Sequence, residues 1–355
     1  MELSRTINSD KRYYLDENTI ENAASFLQTM RVFNDAKIDL YNALYDQKYL
    51  ASGPLIDHAY PVFLKEKYKT NDYYNAAVYS AASGSISSQK ELKKYYSTTI
   101  TADLKTRDEK IKMIQETLDK KKAVKNSIRI YRKDGRWVTP YPRCQLKVKG
   151  LTIVLFNKTI VKLDEYERSV ETDIRKLKTR LALVTEARKR KEKKLENIKN
   201  LPPERIVFGG KKLYSEKDTV GIKKSAEDNK TSQKALKEWK QDFFEKRHQS
   251  MALPGRHTSK YGNFLCKYDG KDLSVTCIDG TTTVFHDFKL PRYNEAFQNN
   301  FTCKPEDRQS ICYNFTVKRD RKNRQYIIVS VNMKLQAYEN SYYGNGAISR
   351  SEEHT

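Results

Sequence analysis

Two short glycine-containing runs decide how the rest of this chain is interpreted: Phe208-Gly209-Gly210-Lys211-Lys212-Leu213-Tyr214 and Gly255-Arg256-His257-Thr258-Ser259-Lys260-Tyr261-Gly262-Asn263. Both place glycines beside basic residues in sequence that we predict to be rich in strands. Glycine lets a backbone approach a partner closely, and nearby Lys or Arg suits an anionic partner. A phosphate backbone meets both requirements, although Gly-Lys turns are common on any basic protein.

The candidate nucleic-acid contacts in these runs are Lys211, Lys212, Arg256, Lys260 and Asn263. Asn can recognise adenine edges, and Lys or Arg can recognise guanine or hold phosphate. We assign no base to any one of them. His257 is expected to be a turn residue rather than a ligand or a base.

Together the two runs resemble a family pattern. A G-[GS]-K-K-L run followed by a G-x6-G-N run is similar to the TnpB (OrfB) family of transposon-encoded proteins, the RNA-guided DNA endonucleases ancestral to type V CRISPR effectors. The linking segment agrees, because Trp239-Lys240 and Phe243-Phe244-Glu245-Lys246-Arg247 stand where the family has a helix containing Trp and Arg. The resemblance covers most of the chain, more loosely in its N-terminal third. It implies a wedge-type β-barrel interrupted by helical insertions, which binds a structured guide RNA and a double-stranded target DNA.

The end of the chain adds a second point of resemblance. Gly346-Ala347-Ile348 is similar to the start of the first strand of the family's RuvC-like nuclease domain, which carries the first catalytic Asp. The sequence instead continues into Arg350-Ser351-Glu352-Glu353-His354-Thr355, which resembles a translated sequencing adapter. We therefore expect 348–355 to be a truncated start of that domain with an adapter-derived tail; a short natural polar tail is the alternative. The resemblance implies that Mg²⁺ and Zn²⁺ belong to the missing C-terminal domain.

Composition predicts a folded chain with a polyanionic partner. The 355 residues include 68 Lys and Arg against 45 Asp and Glu, a formal net charge of +23, and 38% of them are hydrophobic. This surplus favours nucleic acid, with an anionic membrane surface as the rival. No basic amphipathic helix with a Trp and Leu face stands out, and no apolar run approaches the ~18 residues of a membrane span. The start lacks signal-peptide features, so we predict a cytoplasmic protein without a membrane partner. The resemblance implies a bacterial or phage-borne source.

Residue types that would support catalysis or metal binding show no recognisable spacing. The five cysteines contain no Cys-x2-Cys pair, so free thiols are favoured over a zinc ribbon. The five histidines lack metal spacing, and Walker, nucleophile-elbow and Rossmann fingerprints are missing from the sequence. Two-metal nucleases need clustered carboxylates, which in the family belong to the domain missing here. We therefore expect no catalytic residue, no cofactor and no DNA cleavage from this polypeptide.

Hydrophobic periodicity predicts an α+β chain built from successive segments. With the domain names that the resemblance implies, the expected segments are a first strand of the wedge β-barrel at 1–11, a helical recognition lobe at 12–126, wedge strands at 127–158, a long basic helix at 159–201, the rest of the β-barrel with one inserted helix at 202–347, and the tail at 348–355. Within them we predict helices from residue 17, over 72–82 with an end at Gly84, and over 105–125, and a strand over 127–131. These helices could place a recognition helix in the DNA major groove, but an ordinary helical bundle is the interpretation that we favour for individual residues. The resemblance instead implies contact through duplex shape and backbone charge.

The densest charge in the chain is Arg188-Lys189-Arg190-Lys191-Glu192-Lys193-Lys194, which extends the long helix past its apolar stripe. Neutralising phosphates there would release counterions and make binding depend on salt. A solvated helix end is the usual alternative for a charge run. Because the net charge is high, we favour nucleic acid, with Arg188, Lys189, Arg190 and Lys191 as candidate contacts.

Two further segments combine basic residues with predicted turns. Residues 318–324 lie between predicted strands, so Arg319, Arg321, Lys322 and Arg324 would occupy a hairpin tip that enters a groove or clamps RNA. A soluble turn on an exposed edge is the equal alternative. In 131–137, Arg136 and Trp137 could hold a phosphate and stack on a base. A hairpin with Trp137 in the core is the alternative that we favour.

Two other classes of protein remain as alternatives. A stand-alone nucleic-acid-binding protein, such as a repressor derived from such a nuclease, would be favoured by a genuine stop codon near residue 349. A coiled-coil structural protein would pair the long helix with a partner chain. The basic run interrupts the heptad stripe of that helix and argues against it, and a monomeric sizing result would dismiss it.

Overall fold

The computed structural model describes residues 2–52, 59–155, 158–222, 229–291 and 293–336 and has an α+β fold. Helices account for 56% of the structure, and its sheets are antiparallel. The helices are α1 Ala23–Tyr45, α2 Tyr60–Tyr68, α3 Asp72–Asp134, α4 Leu163–Asn200, α5 Lys211–Ile222, α6 Asn229–Arg247 and α7 Asn294–Thr302. The strands are β1 Glu2–Asn8, β2 Tyr13–Tyr14, β3 Ile20–Glu21, β4 Lys147–Lys149, β5 Thr152–Val154, β6 Ile160–Lys162, β7 Ser250–Leu253, β8 Cys266–Tyr268, β9 Leu273–Thr276, β10 Thr282–Phe285, β11 Cys312–Arg319 and β12 Gln325–Gln336. The predicted tail at 348–355 lies outside the described residues.

The chain divides into two compact units, Met1–Ser87 with Arg205–Thr355, and Ser88–Glu204. Helix α3 begins in the first unit and continues into the second. Each unit has its own cluster of buried apolar side chains. Hydrophobic burial therefore stabilises each unit from within.

The first unit contains two antiparallel sheets. One has the strand order β1-β12-β11-β7 with β2 beside β12, and the other has the order β3-β10-β9-β8. Strand β1 pairs with β12 from Glu2 opposite Gln336 to Asn8 opposite Ser330. No closed barrel is found among the described strands, so the wedge-type barrel stays a prediction.

Aromatic packing joins helix α1 to both sheets of the first unit. The Phe26 ring of α1 lies 5.2 Å from Phe285 of β10 and 5.0 Å from Phe315 of β11, between ring centroids. Residues Tyr313 and Phe315 of β11 are both buried, as the period of two predicts for a strand with one face on a core. The three phenylalanines are fully buried, so they fix α1 against the sheets.

The second unit is a helical hairpin with a small sheet. The 88–134 part of α3 lies antiparallel to α4, and between them the chain forms the sheet β4-β5-β6. Ion pairs follow the two helices in antiparallel order: Arg132–Glu167 at 2.8 Å, Lys125–Glu171 at 2.7 Å, Lys121–Asp173 at 2.7 Å and Asp103–Lys191 at 3.2 Å. Leu118, Val124 and Ile128 of α3 form a buried cluster with Val170 and Ile174 of α4. The apolar stripe of α4 therefore packs within its own chain.

Several secondary-structure predictions agree with the fold. The first strand, the long basic helix, the inserted helix before residue 248 and the hairpin around residue 321 are confirmed. None of the helices in the described part of the chain combines the length and the apolar character that a membrane span requires.

Other predictions were wrong. Residues 127–131 are helical, because Ile128 is buried with Leu118 and Val124 on the face of α3 that packs on α4. Gly84 does not end a helix, since the hydrogen-bonded turns of α3 continue through it and open space surrounds it. The first predicted helix starts later, at Ala23, because Ile20 pairs with Phe285 as a strand residue. Helices α5 and α7 were missed altogether.

Candidate nucleic-acid interface

The G-x6-G-N run forms the loop between β7 and β8, and Asn263 holds this loop together. Its Nδ2 donates hydrogen bonds to the carbonyls of Leu253 at 3.0 Å and Ile311 at 3.1 Å. Its Oδ1 accepts from the backbone N–H groups of Leu265 at 2.9 Å and Cys266 at 3.1 Å. Asn263 is 2% exposed, so its amide is used by the chain itself. We therefore correct its expected role from base contact to loop architecture.

The two glycines of this loop serve close approach within the chain. A Cβ on Gly255 would lie 2.3 Å from the backbone N and O of Ile311. Gly262 has φ +66°, and its carbonyl accepts from Arg256 N–H at 2.9 Å and Ile311 N–H at 3.0 Å. Because glycine has no Cβ, it fits the close contact at Gly255 and readily adopts the positive φ at Gly262. The loop leaves Arg256 and Lys260 exposed on its surface.

The first run forms a turn that enters helix α5. Gly209 and Gly210 have φ +96° and +98°, and a Cβ on Gly209 would lie 2.9 Å from the Phe243 ring. Trp239 stacks on Phe243 at 5.5 Å and donates from Nε1 to the Leu213 carbonyl at 2.7 Å. Lys211 and Lys212 are exposed in the first turn of α5.

Beside the first run lies Lys37, which sequence reasoning missed. Its Nζ donates to Asn34 Oδ1 at 2.6 Å and lies 5.4 Å from the centre of the Phe208 ring. Burial lowers the pKa of Lys37 to about 8. No local sequence pattern predicts that Lys37 lies beside Phe208, because the two residues are far apart in the sequence.

The hairpin tip between β11 and β12 divides its four basic residues into two kinds. Arg319 binds both carboxylate oxygens of Glu245, with Nε 3.1 Å from Oε2. Arg324 donates to Asp320 at 3.1 Å and lies 4.2 Å from the centre of the Tyr14 ring. Arg321 and Lys322 are exposed and make no ion pair with any described residue.

The Arg319–Glu245 pair ties the hairpin to helix α6. Burial would raise the pKa of Glu245, but hydrogen bonds from Arg319 and Gln241 outweigh it and lower that pKa. The side chains of the pair are therefore charged at neutral pH and satisfy each other. Of the predicted tip contacts, Arg321 and Lys322 are the ones whose charge stays available to a partner.

A cleft of about 540 Å³ opens beside this pair. Leu27, Met30 and Val317 contribute apolar lining, while Arg31 lies 5.5 Å from the centre of the Phe244 ring. His248 faces the cleft with Nδ1 2.7 Å from the Phe244 carbonyl and Nε2 2.9 Å from Asp35 Oδ1. The cleft residues come from distant parts of the chain, and no sequence pattern indicated them.

In the second unit, half of the basic run is neutralised. Arg188 pairs with Asp108 and Glu192, Arg190 with Glu186 and Lys191 with Asp103. Lys189, Lys193 and Lys194 are exposed and have no carboxylate partner among the described residues. Of the four predicted contacts in this run, Lys189 therefore keeps an available charge, while carboxylates of α3 and of α4 itself pair with the other three.

Arg136 and Trp137 follow the end of α3 in the second unit. Gly135 has φ +66° and donates its N–H to the Tyr131 carbonyl at 2.9 Å, which ends the helix. Trp137 packs on the core of this unit, with its ring 6.4 Å from Tyr131. Arg136 is exposed. Trp137 is thus a packing residue at a helix end rather than in a hairpin.

An exposed aromatic pair lies beside the G-x6-G-N loop. The rings of Tyr73 and Phe264 stack with centroids 4.7 Å apart and an interplanar angle of 20°. They line a pocket of about 200 Å³ together with Ser80, Pro254 and Arg256. Sequence reasoning missed this pair, because only tertiary structure brings α3 to the loop.

Chemistry-bearing clusters are not seen in the described ranges. Within them, no group of three or more His, Cys, Asp or Glu side chains could hold a metal ion. The cysteines are free, and burial raises the pKa of Cys266 well above its ordinary value. A thiol in that state is a poor nucleophile and a poor metal ligand.

Comparison with known proteins identifies no relative of this chain. No family model matches it, and neither curated proteins nor solved structures give a significant match.

Proposed function

We propose that this chain is the guide-RNA- and target-DNA-binding portion of a TnpB-like RNA-guided DNA endonuclease, without the catalytic domain. The observation that carries the proposal is the construction of the two glycine runs. Each is a turn held by contacts within the chain, and each presents exposed basic side chains. Turns that bear Lys and Arg suit the positioning of a phosphate backbone.

Charge supplies the second support. Lys212 and Arg256 in the runs, Arg321 and Lys322 at the hairpin tip and Lys189 on α4 are exposed without a carboxylate partner among the described residues. Placed on a chain of net charge +23, they would attract a polyanion. Binding through phosphates should weaken steeply as salt rises.

The architecture is compatible with the wedge-and-insertion organisation. Strand β1, near the start of the described chain, pairs with β12, at its end. The helical unit Ser88–Glu204 is an insertion in sequence between the two segments of the first unit. On this proposal, the carboxylates for Mg²⁺ and the zinc ligands would belong to the family's nuclease domain. The protein would act in the cytoplasm of a bacterium or in phage infection.

The test is to express the chain together with the DNA of its own locus, purify it and sequence the nucleic acid that remains bound. We expect one structured RNA transcribed from beside the gene, and affinity for it that falls strongly with salt. With Mg²⁺ and target DNA present, the chain should bind and not cleave. Duplex DNA bound without RNA would instead indicate a repressor, and a chain free of nucleic acid at low salt would refute the proposal.

A structural coiled-coil role gains no support from the fold. The apolar stripe of α4 packs on α3 of the same chain. A second chain is therefore not needed to cover that stripe. Sizing by light scattering should give a monomer.

A further inference from the structure

The Tyr73–Phe264 pair has an unusual combination of order and exposure. Tyr73 is 43% exposed and Phe264 is 36% exposed, although both are large aromatic residues. Their rings lie nearly parallel at 4.7 Å, so the pair presents a flat aromatic surface to solvent. Because the two rings are already held in place, a ligand that stacks on them costs little conformational entropy. Stacking also buries apolar ring surface, which favours binding.

Both rings are mounted on braced backbone. The neighbour of Tyr73, Tyr74, is fully buried, and its hydroxyl donates to the Thr276 carbonyl at 2.7 Å. The backbone N–H of Tyr74 donates to Asn71 Oδ1 at 2.9 Å, which fixes the start of α3. Phe264 follows Asn263, whose amide binds five backbone groups of the loop, its flanking strands and Ile311. The aromatic surface is therefore preformed.

The charged side chain that lines the pocket beside the rings is basic. Its lining includes Arg256, which is exposed, and no acidic residue. Lys260 lies on the same loop and is exposed as well. An aromatic surface with a guanidinium at its margin suits a ligand that has a flat ring and an attached anion.

We propose that Tyr73 and Phe264 form a stacking platform for one unpaired nucleobase, with Arg256 holding the phosphate beside it. The inference rests on the proposed function and adds a single-stranded contact to it. A base within a duplex already stacks on its neighbours, so the platform selects an unpaired nucleotide. Stacking is tolerant of sequence because every base has an aromatic face. The nucleotide can come from RNA or from an opened DNA strand.

The test uses the full chain and three fluorescent probes: a short oligouridylate, a short oligothymidylate and a blunt DNA duplex. Phe264→Leu and Tyr73→Leu should each weaken binding of a single-stranded probe by about tenfold or more and leave duplex binding unchanged. Arg256→Gln should reduce the salt dependence of single-strand binding by about one phosphate contact. The matched control is Tyr95→Leu, an exposed aromatic of the second unit at 63%, which should leave single-strand binding unchanged.

Phe264→Trp is a second variant that keeps the test valid if Phe264→Leu does not fold. It retains an aromatic ring at this position, and its fluorescence reports on stacking. Its fluorescence should be quenched by both single-stranded probes and not by the duplex; stronger quenching by the oligouridylate indicates an RNA source, and stronger quenching by the oligothymidylate indicates a DNA source. Full affinity in Phe264→Leu, or an equal loss in Tyr95→Leu, would overturn the platform. If the wild-type chain binds its co-purified RNA while Phe264→Leu is unimpaired with the oligonucleotides, only the platform fails. If the wild type binds no nucleic acid at all, the proposed function fails with it.

Discussion

At the scale of single residues, glycines with opposite surroundings show what the fold demands of each position. Gly255 lies where an added Cβ would meet the backbone of Ile311 and of Gly262 within 2.4 Å. Gly84 lies in α3 where an added Cβ would meet nothing within 4 Å. Backbone atoms cannot move aside as a flexible side chain can, so the same substitution has opposite consequences.

We expect Gly255→Ala to destabilise the first unit by about 1–3 kcal/mol or more, because the loop must shift to admit the methyl group. Gly84→Ala should stabilise the chain by about 0.5–1 kcal/mol, because alanine loses less conformational entropy in a helix. Urea unfolding of both variants and the wild type measures the two changes in the free energy of unfolding, which should have opposite signs. Equal behaviour of the variants would contradict the described packing.

His286 is a second residue whose chemistry depends on tertiary neighbours. Its Nδ1 lies 3.0 Å from Asp272 Oδ2 and its Nε2 lies 3.1 Å from Glu21 Oε1. A neutral imidazole has one N–H, so only the protonated ring donates to both carboxylates. The hydrogen bond to Asp272 raises the pKa of His286, and the charges of Asp272 and Glu21 raise it further.

A raised folded-state pKa gives stability that is fully present below the unfolded value of about 6.5 and is lost as pH rises through the folded value. We therefore expect His286→Gln to lower the free energy of unfolding near pH 6, by up to about 1 kcal/mol for partly exposed pairs, and to have a smaller effect at high pH. Unfolding at several pH values measures this. The matched control is His257→Gln, at an exposed loop position that forms no ion pair with a described residue.

At the scale of elements, the α3–α4 hairpin decides which lysines and arginines keep an available charge. Carboxylates of α3 pair with Arg188 and Lys191, while Lys189, Lys193 and Lys194 have no such partner among the described residues. A Lys or Arg that is paired with a carboxylate contributes less to binding a polyanion, because the phosphate must first displace that carboxylate.

Lys189→Gln/Lys193→Gln/Lys194→Gln should therefore weaken nucleic-acid binding and reduce its salt slope by about 1 for each lysine that contacts a phosphate. Arg188→Gln/Lys191→Gln should affect binding less and instead lower the stability of the hairpin slightly, as expected for exposed ion pairs. Affinity titrations across a range of salt concentrations distinguish the two variants. A larger loss in the second variant would contradict the assignment of available charge.

At the scale of the whole molecule, each compact unit has its own apolar core. Ile153 is fully buried in the cluster of the second unit, and Leu253 is fully buried in the cluster of the first. Large-to-small changes at such positions leave cavities whose effect is local to the core that contains them.

We expect calorimetry to resolve two thermal transitions. Ile153→Ala should lower one of them and Leu253→Ala the other, each by about 2–5 kcal/mol in free energy of unfolding. Helical and aromatic circular dichroism assign the transitions. A single transition lowered equally by both variants would show that the units unfold together.

Local patterns were sufficient for part of this structure. Period-two alternation predicted the β11–β12 hairpin and the strand at the start, and a three- and four-residue stripe predicted α4, because burial of one face imposes those periods. The charge count likewise needs no fold. The strand prediction at 127–131 failed because its alternating residues also fit a helix that packs on α4.

The sequence by itself determined the class of the fold, the location of the basic segments and the two glycine runs. Tertiary structure alone decided that Asn263 holds a loop, that Arg188 and Arg319 are paired, and that Tyr73 meets Phe264. The physical reason is that each of these roles depends on a partner far away along the chain. Periodicity reports which face of an element is buried, whereas the identity of the contacting group is settled only when the elements pack.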